Sequence, residues 1–487
     1  MRLWTWYALG IAALLVATGC KRDNTLGTDA APAPDSGVLD ASPRPEHAIS
    51  DGPGDDRAVT DGPPTDGPQP TQHYFPANLH KDVDILFVVD NSTSMIEEQQ
   101  ALAQAFPQFV DMLATLSGGM PDVHIGVTSP DLGAGNYNLP SCEVAGGDKG
   151  KLWNTPQKSS CTPPTDPYIS YLAGATNVPG SGNALDRIKA AFSCIAEIGT
   201  GGCGFEHTIE ASRRAVDPQL GINPGFVRPG ALLVVVYVTD EDDCSAQKPQ
   251  LFDPSQQSLT DPLGPLTSFR CFEFGVECTC SGGPCTRTTP GPRTNCKPAY
   301  DWLHKIGDYV TFFKGLKAPG QVVMAALAGP ITPVEVILDG QSPQLKPSCN
   351  VNWNNAVPAI RIKALVDAFG SAGFFHVICN QPYGPPLKQL GTIIASQLGE
   401  ACLQPLTDTD PGKPGMQASC VVEDVVGTTT TAIPACGAQT GPCNPCPCWR
   451  VVADPSCSAL GGHALEVARS SPAAPGTIVS AKCLGPK

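Results

Sequence analysis

The stretch Val83-Asp-Ile-Leu-Phe-Val-Val89 followed by Asp90-Asn91-Ser92-Thr93-Ser94 decides the fold of this 487-residue chain. Seven residues, six of them apolar, read as a strand buried on both faces, the kind found in parallel sheets. The run stops at a carboxylate and two hydroxyls. A helix is predicted from about Met95, because Leu102, Phe106, Phe109, Leu113 and Leu116 recur at intervals of three and four and share one helical face. Pro107 lies inside that pattern, where a kink is expected.

The same alternation continues outward. Val123–Thr128 reads as a second strand, Asp186–Ile198 and Phe205–Val216 as helices, and Ala231–Val238 as the strongest strand, ending at Thr239-Asp240. Tyr300–Leu316, Ile360–Phe369 and Leu387–Leu398 are predicted helices, and Gln321–Leu327 and Phe374–Ile378 predicted strands. Wholly apolar strands alternating with amphipathic helices argue for an α/β domain, a doubly wound and mostly parallel sheet, over residues 76–400. Two long stretches, 129–182 and 245–297, interrupt it with Gly, Pro, Ser and Cys and no sustained periodicity. Loops of that length in a compact domain are functional or cross-linked, and their cysteines favour cross-links.

Ligands of open α/β sheets bind beyond the carboxyl ends of the strands. Asp90, Ser92 and Ser94 stand at such an end and offer hard oxygen donors, which suit Mg²⁺, Mn²⁺ or Ca²⁺. Asp and Ser also cap helices, but capping does not account for Asp240 at a second strand end. Asp90-x-Ser92-x-Ser94 after a buried strand, with Thr239-Asp240 after another, resembles the von Willebrand factor A (vWA) family and its metal-ion-dependent adhesion site, or MIDAS. The resemblance covers about residues 82–400 and implies a vWA/Rossmann-like fold. It also implies one divalent ion held by Asp90, Ser92, Ser94 and Asp240, and a protein ligand whose acidic side chain completes the ion's shell. The family's middle threonine is not matched cleanly. Gly199-Thr200-Gly201-Gly202-Cys203-Gly204-Phe205-Glu206 stands in its place, leaving Glu206, with Thr200 as the alternative. Glu241-Asp242-Asp243 reads as a solvated acidic loop. Cys203 and Cys244 flank the site and are expected in disulfides that brace its loops.

The N-terminus reads as a secretory signal: Met1-Arg2, an apolar run from Ala8 to Val16, then Ala17-Thr18-Gly19-Cys20. It resembles a bacterial lipobox, which implies lipidation at Cys20. Lys21 lacks the inner-membrane retention signal of enteric lipoproteins, so outer-membrane anchoring is expected, facing the periplasm or the cell surface. Residues 21–75 are dense in Pro, Asp, Gly and Ala, repeat Asp-Gly-Pro at Asp51, Asp61 and Asp66, and carry ten acidic against four basic side chains. That composition predicts a disordered tether, spanning on the order of 40 Å.

Beyond Cys20 there are twenty cysteines, an even number that reads as disulfides outside the cytosol. Cys443-Asn-Pro-Cys446-Pro-Cys448 and Cys278-Thr-Cys280 with Cys285 have zinc-like spacing, but disulfides are favoured in an oxidising envelope. Residues 401–487 hold eight of the cysteines and are expected to form a small disulfide-rich region. A net charge of −15 argues against nucleic acid as a partner. No nucleophile elbow, phosphate loop, His-Glu-x-x-His or dinucleotide fingerprint occurs, so a binding protein is expected, not an enzyme. His124, inside a strand pattern, is expected to be packed. The competing reading is a structural envelope lipoprotein with a degenerate vWA domain that binds no metal.

Overall fold

A computed structural model describes residues 70–77 and 82–486 apart from 117–118, 352–353, 399–400, 414, 438–440, 442, 455–456, 458–459, 472 and 475–476. Cys20, the signal segment and most of the expected tether lie outside the described residues.

Strand β1 (Pro70–Pro76) belongs to a small sheet formed with the chain's far end. The deciding stretch forms β2 (Asp82–Val89), seven of whose eight residues are fully buried. Helix α1 (Ile96–Ala114) follows, with Leu102, Phe106, Phe109 and Leu113 inward as predicted and Pro107 inside the helix without ending it. Next come β3 (Asp122–Thr128), the short β4 (Ile169–Leu172) and β5 (Ala175–Thr176), α2 (Ala184–Ala196), α3 (Thr208–Val216) and β6 (Leu232–Val238). Asn183 starts α2 by accepting a hydrogen bond from the Leu185 amide at 2.8 Å. The second insertion contains α4 (Phe269–Gly275), β7 (Val276–Thr279) and β8 (Gly291–Pro298). The chain continues through α5 (Ile306–Leu316), β9 (Val322–Ala328), β10 (Val334–Asp339), β11 (Ser342–Leu345), β12 (Cys349–Val351), β13 (Asn354–Ala356), α6 (Ile360–Asp367), β14 (Gly373–Val377) and α7 (Gly384–Gln397).

The central sheet runs β14-β9-β6-β2-β3-β4-β5. Its first five strands are parallel; β4 pairs antiparallel with β3, and the edge strand β5 antiparallel with β4. The fold is therefore mixed α/β with a mostly parallel central sheet. Helix α1 packs against α2 and α7, while α5 packs against α3 and α6. Phe87 of β2 meets Phe106 and Phe109 of α1 and Phe192 of α2, with Phe87–Phe192 centroids 4.9 Å apart. Each such side chain contributes about 1.5–3 kcal/mol by burial, and together they seat α1, and the loop that opens it, on the end of β2.

Among the boundaries that differ from the sequence expectation, three have a clear physical cause. β1 begins inside the stretch assigned to the tether: it pairs antiparallel with β19 (Ile478–Leu484), which supplies partners that the local composition lacks. Helix α3 starts at Thr208, not Phe205, so Glu206 lies in the loop before it. Helix α5 starts at Ile306, because Trp302 and Leu303 pack into the apolar cluster of the insertions instead of extending the helix. The sheet β11-β10-β8-β7 had no counterpart in the prediction. Its signal is short: Val334 and Val336 are buried and alternate with more exposed neighbours.

Ten disulfides join the twenty cysteines from Cys142 to Cys483. The pairs Cys278–Cys296, Cys280–Cys285, Cys443–Cys446 and Cys436–Cys448 leave no thiolate at the zinc-like spacings. The terminal region combines β1, β19, β15 (Cys420–Val426) and β16 (Thr429–Ile433) in one sheet, with β17 (Cys448–Ala453) paired to β18 (His463–Ala468). Leu403, Val422, Val479 and Ala481 lie in its own small core. Among the described residues, no helix is long and apolar enough to cross a membrane.

Candidate metal centre

Parallel pairing sets the site. Val89 of β2 lies opposite Val238 of β6, and the Asp90 amide donates to the Val238 carbonyl at 2.9 Å. Asp90 and Thr239-Asp240 therefore leave the sheet side by side at its carboxyl end. Asp90 is 1% exposed and Asp240 8%. The Asp90 carboxylate accepts from the Ser92 amide at 2.7 Å and from the Thr239 hydroxyl at 2.7 Å. Ser92 and Ser94 hydroxyls stand 3.2 Å apart, and neither Ser92 nor Met95 makes a side-chain cap on the helix that follows. Capping is thus not what these hydroxyls do.

Glu206 arrives on the loop between α2 and α3. The Gly202 amide donates to the Asn91 carbonyl at 2.9 Å, and a Cβ at Gly202 would sit 2.1 Å from Asn91 Oδ1. Glycine leaves the Asn91 side chain room at that approach. The Gln99 amide group ties the Asp90 carbonyl to the Gly199 carbonyl, both at 2.8 Å. Cys203 is bonded to Cys142 of the first insertion, and the Cys244 amide donates to the Glu206 carbonyl at 2.8 Å. Cys244 is in turn bonded to Cys271 of the second insertion. Both expected bracing disulfides are present, and each insertion is stapled to a loop of the site.

The electrostatics are those of crowded acids. Glu206 is 1% exposed; burial pushes its carboxyl well above the usual range, and repulsion from Glu241, Asp90 and Asp240 adds to this. Asp240 is pushed well up by burial, then by Asp90 and Glu241, against a lowering bond from Ser94. Asp90 is raised by burial, opposed by its Thr239 and Ser92 bonds. Glu241 is half-buried by surface area but deep among protein atoms, and burial followed by Asp90 lifts it to about 7. Glu206 Oε1 and Asp240 Oδ1 are buried and have no hydrogen-bond partner among the described residues. Unpaired buried acceptors are costly and uncommon. Among the described residues, no three His, Cys, Asp or Glu side chains are arranged to hold an ion by themselves. A shell here needs the serine hydroxyls as well.

Of the residues expected from sequence, Asp90, Ser92, Ser94 and Asp240 share this strand end. Glu206 is coupled to them through charge, whereas Thr200 lies six residues earlier, half-buried in the turn after Gly199. The acidic run is not a solvated loop. Asp242 accepts the Arg361 and Ile362 amides at the start of α6, and Asp243, 1% exposed, pairs with the fully buried Arg361 at 3.1 Å. Sequence reasoning left out Thr239 as the partner of Asp90, and also Glu98, a buried acid in the first turn of α1. Only their place beside the motif residues hinted at either. His124 is packed as expected, 2.9 Å from the Phe226 carbonyl.

No protein-family model matches the chain, and no curated protein does. Solved structures align over most of it but loosely. The pilus adhesin SpaC from Lactobacillus rhamnosus GG, in its open conformation, is 12% identical, with 86% of this chain and 41% of that one covered, at a TM-score of 0.30. A von Willebrand factor type A protein from Catenulispora acidiphila is 10% identical, with 87% and 67% covered, at 0.27. The pilus adhesin RrgA from Streptococcus pneumoniae is 10% identical, with 85% and 58% covered, at 0.28. The chain thus spans less than two thirds of either adhesin. Superpositions this loose carry no argument about fold or function, which rest on the chain's own topology and site.

Proposed function

We propose that this chain is a cell-envelope lipoprotein with a doubly wound, vWA-like domain that binds a protein ligand through a divalent ion at a MIDAS-type site. The observation that carries the reading is the pair of buried, unpartnered oxygens, Glu206 Oε1 and Asp240 Oδ1, beside Asp90 at the carboxyl end of two parallel strands. The donor set is all oxygen, so it fits Mg²⁺, Mn²⁺ or Ca²⁺. Asp90, Ser92, Ser94, Glu206 and Asp240 would hold the ion. When bound, the ion supplies positive charge and an open coordination position for an acidic side chain of the partner.

The chain's own part is to hold those oxygens in place: β2 and β6 set the two aspartates, Gln99 and Gly202 hold the facing loops, and the Cys142–Cys203 and Cys244–Cys271 bridges restrain them. Lipidation at Cys20 and the acidic tether would present the domain away from an outer membrane. A binding role without catalysis follows from the lack of a nucleophile–base pair in the sequence motifs.

The test is thermal unfolding of the full chain, titrated with Mg²⁺, Mn²⁺ and Ca²⁺ after EDTA treatment, beside Asp90→Ala. A metal at about a hundred times its Kd adds about 2.7 kcal/mol. A saturable rise lost in the variant supports the site. No shift with any metal refutes it and leaves the metal-independent structural lipoprotein, a reading favoured by the engagement of both Asp90 oxygens by Ser92 and Thr239.

A further inference from the structure

Beside the carboxylate cluster lies a cavity of about 270 Å³. Glu241 and Asp242 form one side, Ser268, Phe269 and Phe272 of the second insertion another, and the β11 strand with Gln344 a third. Two of its three walls thus come from segments outside the alternating α/β pattern. None of the side chains lining it is basic.

The two acids differ. The charge of Asp242 is taken up by the amides of Arg361, Ile362 and Asp243. Among the described residues Glu241 has no cationic partner; its carboxyl bonds to the Ser268 hydroxyl and to the Glu206 carboxyl, and the Asp90 charge lies close by. Phe269 and Phe272, with ring centroids 5.7 Å apart, offer aromatic surface in the same cavity. A carboxylate and aromatic rings together favour an organic cation, through charge-assisted hydrogen bonds and cation–π attraction.

We propose that this cavity is a subsite for a basic side chain, receiving the guanidinium or ammonium group of an Arg or Lys on the bound partner. The proposal deepens the protein-binding reading and rests on it: the partner would present an acid to the ion and a base to Glu241.

Nα-acetyl-arginine amide and Nα-acetyl-lysine amide are titrated into the EDTA-treated full chain at about pH 8, followed by calorimetry. Nα-acetyl-citrulline amide serves as the neutral counterpart of arginine. Saturable binding of a basic probe is expected, at least about 10-fold weaker for citrulline and for the Glu241→Gln chain, as loss of a charged hydrogen bond requires. Absence of saturable binding by both basic probes, or equal binding of citrulline, overturns the proposal without relying on any variant. Binding unchanged by Glu241→Gln overturns it as well. The titration contains no metal, so a missing metal-induced thermal shift refutes the ion while leaving the result on the cavity independent.

Discussion

Replacing Asp240 by Asn should move stability in opposite directions with and without metal. Without metal, Asp240 is a buried carboxylate with an unpartnered oxygen, repelled by Asp90 and Glu241. A buried charged acceptor left unsatisfied costs about 1–3 kcal/mol or more, and the amide removes the charge. For roughly 400 folded residues the unfolding entropy makes 1 kcal/mol worth about 1 °C in Tm. Asp240→Asn should therefore melt about 1–3 °C above the parent in EDTA near pH 8. The sign follows from linkage: the folded pKa of Asp240 is raised, so the parent loses stability as pH rises from the ordinary value of 3.8 through the folded pKa. The gain should shrink towards zero as the pH falls to that value. With metal at about a hundred times its Kd the parent should recover about 2.7 kcal/mol, and the variant almost none, so the order of the two melts narrows or reverses. The assay is scanning fluorimetry at matched scan rate, since disulfide-rich chains often unfold irreversibly. A variant that melts below the parent in EDTA, or responds to metal as the parent does, would refute the reasoning.

Three further outcomes are expected. Gly202→Ala places a Cβ 2.1 Å from Asn91 Oδ1, so the buried Asn91 side chain or the loop must shift; overpacking of this kind costs about 1–3 kcal/mol, read as a lower denaturant midpoint together with a weakened metal response. Removing the Cys142–Cys203 bridge by double Ser substitution frees a loop of 61 residues, worth up to about 4 kcal/mol in the chain-entropy account, and should weaken metal affinity more than removal of Cys420–Cys483 in the terminal sheet, compared by calorimetry. Burial lowers the His124 imidazole, which lies beside Asp84, Arg228 and Tyr168. Its contribution is complete above the unfolded value of 6.5 and is lost as pH falls below it. His124→Gln, with an amide to offer the Phe226 carbonyl, should flatten the fall in urea midpoint below that pH; an unchanged slope contradicts the assignment.

What the sequence determined by itself was the repeating frame. Runs such as Val83–Val89 and Leu232–Val238 are apolar at every or nearly every position, a pattern that only a sheet covered on both faces can bury, and Leu102 to Leu113 carry a helical period. Burial on both faces is a local demand, so it is written locally. The ends of those strands, Asp90 and Asp240, were legible for the same reason, because a carboxylate after a buried run must lie where the strand leaves the sheet.

Tertiary structure alone decided the rest. β1 is a strand only because β19, some four hundred residues later, supplies its hydrogen bonds. Glu241, Asp242 and Asp243 are adjacent in sequence yet face a cavity, a helix start and a buried arginine. Partners from residues 267–272 and 361–362 assign those roles, and nothing in the run of three acids specifies which distant group each will meet. The disulfide pairing and the burial of Glu206 beside Asp90 and Asp240 are of the same kind: both depend on which loops the folded sheet brings to its carboxyl end, a property of the packed chain and not of any window within it.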